Sequence, residues 1–144
     1  MVDIEARVQK AIEEITGNEA LMEMLDTEAA AEMLEWGKSM VRSLVNETAG
    51  MDDEAAELAL EPRLKAVRQL IRSAGNWAAG SYTEPDDRIQ LREKLLGYQK
   101  VIRGEGTPLP SAGQLDALLN STNAAQVTPQ QQILNLKKLF NEAR

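Results

Sequence analysis

The side chains able to do chemistry in this chain are carboxylates and fixed cations. It holds 23 acids and 16 bases but no histidine and no cysteine. Without cysteine there are no disulfides, thiolate nucleophiles or Cys-ligated metals. Without histidine the commonest metal ligand and the commonest general base near neutral pH are gone. Hard-cation chemistry on oxygen ligands stays open. Glu32 with Glu35, and Glu54 with Glu57, form two Glu-x-x-Glu tetrads. That spacing puts both carboxylates of a tetrad on one helix face. Two such pairs facing each other could hold Mg²⁺ and polarise a phosphoryl group. Acid-rich helices also carry this spacing as an ordinary solvated face, and Glu28 and Asp53 extend both clusters in that way.

The two tetrads loosely resemble the all-α nucleoside triphosphate pyrophosphohydrolases, which carry Glu-x-x-Glu and Glu-x-x-Asp pairs on successive helices and bind magnesium there. The resemblance implies an Mg-dependent nucleotide hydrolase with Glu32, Glu35, Glu54 and Glu57 as metal ligands. It covers these tetrads alone. The second ends in Glu57 where that family has Asp, and the family's further catalytic and substrate residues have no counterpart in this sequence.

Cations form two further constellations. Lys65, Arg68 and Arg72 share one helix face, and Arg88, Arg92 and Arg103 share another with Gln99 between them. Adjacent helices bearing these stripes would offer a positive groove to phosphates or to an acidic partner. The competing reading is intramolecular, with the stripes facing acidic helices of the same bundle. Charge is unevenly spread: residues 1–61 carry a net −12 and residues 62–144 a net +5, together −7. That balance and 3% aromatic content make nucleic acid an unfavoured partner, for want of stacking platforms. A third constellation is the C-terminal stripe Ile133, Leu136 and Phe140, behind a proline-containing linker. Such a stripe docks into a groove or closes a core. Trp36 and Trp77 sit at the edges of apolar stripes and read as core. Gly104-Glu105-Gly106 lacks the Gly-Lys-Ser/Thr of a phosphate loop and reads as a helix stop.

These side chains must be positioned by helices. With few aromatics, the core vocabulary is Leu, Ile, Val, Ala and Met, spaced at helical intervals throughout. The spacing predicts a helix over 3–16 (Ile4, Val8, Ala11, Ile12, Ile15), a short turn over 18–25, and a helix from Asp26 or Thr27 to before Gly50. Within the last of these, Gly37 offers close approach to a neighbour. The next helix starts at Asp52 or Asp53 and runs to about Ala79, with a break or kink expected at Pro62. Thr83-Glu84-Pro85-Asp86 predicts the following start, with Leu91, Leu95, Tyr98 and Ile102 buried and Ile89 and Leu96 beside them. Ser111–Gln114 and Thr128–Gln131 predict capping boxes for two shorter helices.

The expected fold is all-α: an up-and-down bundle of four main helices over 1–106, then a linker and two shorter helices over 107–144 that pack on the core or on a partner. No targeting segment or membrane-spanning run is visible, so the default location is the cytoplasm. The functional expectation is a non-enzymatic interaction or adaptor module without a cofactor, binding a protein partner or a second copy of itself. The alternatives are the Mg-dependent hydrolase above and weak nucleic-acid binding through the basic faces.

Overall fold

The computed structural model describes residues 6, 9–11, 13, 27–104, 108–120 and 128–142. Five helices run through them: α1 (Thr27–Glu47), α2 (Asp53–Ala78), α3 (Pro85–Arg103), α4 (Ala112–Asn120) and α5 (Pro129–Glu142). The protein is all-α; among the described residues there is no strand. Of the helix expected over 3–16, Ala6, Gln9, Lys10, Ala11 and Glu13 are described and helical, and Ala11 is buried. Ile4, Val8, Ile12, Ile15 and the turn over 18–25 lie outside the described residues.

Helix ends follow the local chemistry. Asp52 accepts the Ala55 N–H at 2.8 Å and opens α2, with Asp53 and Glu54 in the positive first turn. Ser111 and Gln114 make a reciprocal capping box, 2.9 and 3.1 Å. Thr128 accepts the Gln131 N–H at 3.1 Å, while the Gln131 side-chain amide reaches forward to Asn135. At α3 the expected Thr83 cap is not used. Glu84 is the capping residue, it makes no side-chain cap bond, and Pro85 takes the first turn, where its missing N–H costs nothing. Gly80 and Gly104 close α2 and α3 at φ of 91° and 82°, a region that side chains disfavour.

Of the break or kink expected at Pro62, the break is absent. Pro62 neither breaks α2 nor starts a new helix, and Asp53–Ala78 is one element. Proline deprives the carbonyl four residues earlier of its donor. That residue is Leu58, which is 71% exposed, so water can serve its carbonyl. Placing proline on the solvent face is what keeps the helix whole.

Neighbouring helices alternate in direction. Glu47, at the end of α1, pairs with Arg63, ten residues into α2. Trp77, near the end of α2, donates to the Leu119 carbonyl near the end of α4. On α3, Arg88 and then Arg92 meet Asn120 and then Asp116, so α4 runs back along α3. The C-terminus of α3 meets that of α5 through Arg103 and the Phe140 carbonyl. α2 touches α1, α3 and α5; α4 lies on α3 and touches α5, and α5 lies on α1. These directions are compatible with an up-and-down arrangement, extended by the two C-terminal helices.

The core is one cluster. It takes Met33, Trp36, Val41, Leu44 and Val45 from α1, and Leu60, Val67, Leu70, Ile71, Ala74 and Trp77 from α2. Leu91, Leu95 and Ile102 come from α3, Leu115 and Leu119 from α4, and Ile133, Leu136 and Phe140 from α5. Trp36 and Phe140 stack with ring centroids 6.3 Å apart. Ile89, expected beside the buried face of α3, is 46% exposed, while Arg88 and Gln99 are buried.

Phe140 therefore belongs to the cooperative core. Phe140→Ala is expected to lower unfolding free energy by about 3–5 kcal/mol in urea denaturation. The exposed Lys138→Ala is expected to stay within about 0.5 kcal/mol of wild type. A Phe140→Ala loss below about 1 kcal/mol would mean that α5 is not part of the folding unit.

Candidate interaction surface

The two carboxylate tetrads do not meet. The Arg63–Glu47 ion pair, 2.8 Å, sets the register of α1 against α2. Glu35 lies 12 residues before Glu47, and Glu57 six residues before Arg63, on the other side of that pair. At 1.5 Å per helical residue the two tetrads stand roughly 27 Å apart along the helices. Glu35 pairs locally with Lys38 at 3.8 Å, and Glu32 accepts from Gln130 at 3.5 Å. Among the described residues no group of three or more acids is placed to hold a metal ion. The convergence needed for a shared Mg²⁺ is absent because α1 and α2 are antiparallel and each tetrad sits near the start of its helix.

The basic stripe of α3 is present but covered by α4 and α5. Arg88, 9% exposed, donates to the Tyr82 and Thr83 carbonyls at 3.1 and 2.9 Å and to Asn120 Oδ1, joining the entrance of α3 to the end of α4. Arg92 binds Asp116 at 2.6 Å and Glu93 at 2.8 Å. Hydrogen bonds to Asp116 and Glu93 raise its already high pKa further, so it stays a cation. Arg103 donates to the Phe140 carbonyl and Asn141 Oδ1, both at 3.2 Å, neutralising the C-terminal end of α5. Gln99 is 1% exposed. Ile133, Leu136 and Phe140 are each at most 1% exposed, filling this chain's own core. The intramolecular roles of these residues fall on α4 and α5 rather than on the acidic helices.

The α2 stripe is placed differently. Lys65 and Arg72 are exposed, and Arg68 is half-buried. With 3.6 residues per turn, Glu54, Leu58, Glu61, Lys65 and Arg72 fall on one line, opposite the buried stripe of Ala56, Leu60, Val67 and Ala74. All five are exposed, Leu58 to 71%. The charge along this line switches sign once, between Glu61 and Lys65. That is where the whole sequence turns from acidic to basic. The helix dipole favours such an order, but only within the terminal turns, and Glu61 and Lys65 lie mid-helix. Their i,i+4 spacing could close an ion pair, yet among the described residues Glu54, Glu61, Lys65 and Arg72 have no ion-pair partner.

Beside this line is a cleft of about 340 Å³, lined by Lys10, Ala11, Glu57, Leu60, Glu61, Leu64 and Arg68. The volume suits a small ligand. Its two cations and two carboxylates roughly cancel, and no side chain in it is a ready nucleophile.

The chain was compared with protein-family models, curated proteins and solved structures, and none of them matches. The surface is therefore read from its own residues. The sequence pattern had put Glu54 and Glu57 with a metal and Lys65 and Arg72 with a partner, without joining them. The overlooked signal was Leu58, which falls off the apolar stripe of its helix and is its most exposed large apolar side chain.

Removing Arg88 strands the Tyr82 and Thr83 carbonyls and the Asn120 amide oxygen. Arg88→Met is expected to destabilise by about 2–3 kcal/mol, read from thermal and urea unfolding. Arg72→Ala is expected to stay within about 0.5 kcal/mol. Equal effects would contradict the division between covered and open basic residues.

Proposed function

We propose that the chain is a non-enzymatic helical interaction module whose contact surface is the outer face of α2. One observation carries this reading: Leu58, 71% exposed, stands in a line of exposed charged residues sorted by sign. Covering a large apolar side chain removes it from water at a gain, and sign-sorted charges around it offer a partner electrostatic complementarity. With Arg88, Arg92, Arg103, Ile133, Leu136 and Phe140 covered, Lys65 and Arg72 are the exposed cations of the two basic stripes. The 27 Å separation of the tetrads gives the hydrolase reading no support.

The test is site-specific photocrosslinking in the producing cell. A benzophenone side chain at Leu58 is expected to yield a discrete crosslinked species, while the same group at the exposed Ala117 of α4 yields none. Equal yields at both sites, or none at Leu58, would overturn the reading.

A further inference from the structure

The outer face of α2 is complementary to itself, and we infer that its partner is a second copy of this chain, bound antiparallel about a two-fold axis beside Arg63. This rests on the interaction-module reading above and adds the identity and the register of the partner.

Charge order on the exposed line sets the pairing. Along the exposed line the residues run Glu54, Leu58, Glu61, Lys65, Arg72. Two identical helices laid parallel would set acid against acid and base against base. Laid antiparallel, with residue numbers in each facing pair summing to 126, they set Glu54 against Arg72 and Glu61 against Lys65. Symmetry repeats each pair, so four opposite-charge contacts form. In the same register Leu58 faces Arg68 of the other copy, and the aliphatic stems of Lys65 and Arg72 flank it and can cover it. One register satisfies all these positions, and the result is a closed isologous dimer.

Among the described residues the face is open. Glu54, Ala55, Leu58, Glu61, Pro62, Lys65, Gln69 and Arg72 are all exposed. The line runs along a single element, because Pro62 does not break α2. Glu61 also borders the neighbouring cleft, while the charges of Glu57 and Arg68, which line it too, form no pair in this register. With a single large apolar side chain per copy, association depends mainly on charge. It is therefore weak, and sensitive to salt because the pairs are exposed.

The full chain tests this directly. Sedimentation velocity at low ionic strength is expected to show a monomer–dimer equilibrium, weakened roughly tenfold or more at about 0.5 M salt. Glu61→Lys alone and Lys65→Glu alone each place like charges across the axis twice, and each is expected to abolish the dimer. The double variant E61K/K65E restores the opposite pairs and with them the dimer. Geometry is read separately. The sequence has no cysteine, so a single introduced cysteine carries a unique spin label. Labels at Ala55, Pro62 and Gln69 are expected to give intermolecular distances ordered Pro62, then Gln69, then Ala55. Their axial offsets are about 3, 18 and 24 Å. Equal distances at the three sites, or failure of the double variant to rescue, would overturn the antiparallel register. A chain that stays monomeric while Leu58 crosslinks to a protein of another mass would overturn self-pairing and leave the module reading standing. A chain that neither associates nor crosslinks would overturn both.

Discussion

The structure depends on the burial of one face of α2 by three helices at once. α1, α3 and α5 all pack on it, and Ala56, Leu60, Val67, Leu70, Ile71, Ala74 and Trp77 are each at most 2% exposed. Fully burying a Leu or Ile side chain stabilises by about 1.5–3 kcal/mol, so this face outweighs any surface ion pair in fixing the fold. It also fixes what is left over. With the inner stripe occupied along the whole helix, the outer stripe is the part of α2 that remains open.

Polar ties set the registers that apolar packing leaves loose. Arg63 is the clearest. Its guanidinium reaches Glu47 at the end of α1 and takes the Ile102 carbonyl near the end of α3 through two N–H groups. That carbonyl is one of the four that a helix end leaves without an internal donor. Arg103 does the same for α5, and the Trp77 indole N–H for α4. Three of the five helices thus have a C-terminal carbonyl held by a side chain from another helix. Two of these ties tether the C-terminal helices α4 and α5 to the bundle.

Much of the fold was legible in the sequence. Helical spacing marked Leu60, Val67 and Ile71, and Leu91, Leu95 and Ile102, as core. Asp52, Ser111 and Thr128 marked helix starts through short-range bonds that need no tertiary knowledge. What could not be read depends on neighbours. Spacing alone does not say whether a proline faces solvent, so it could not rule out the break that is absent at Pro62. The same spacing put Arg88, Arg92 and Arg103 on one face without saying that α4 and α5 would cover it. The tetrads looked alike in sequence, and only the antiparallel sense of α1 and α2 parted them. Leu58 was visible all along as a leucine out of phase with its helix, but its meaning required knowing that it stays 71% exposed in the fold.

The central claim is that α2 turns its outer face, and α5 its inner one, to different tasks. The most direct measurement is a concentration series of amide ¹H–¹⁵N spectra of the full chain at low salt. The account predicts progressive shifts at Glu54, Leu58, Glu61, Lys65 and Arg72, with Ile133, Leu136 and Phe140 unmoved. Shifts centred on α5 instead, or a spectrum indifferent to concentration across the series, would contradict it.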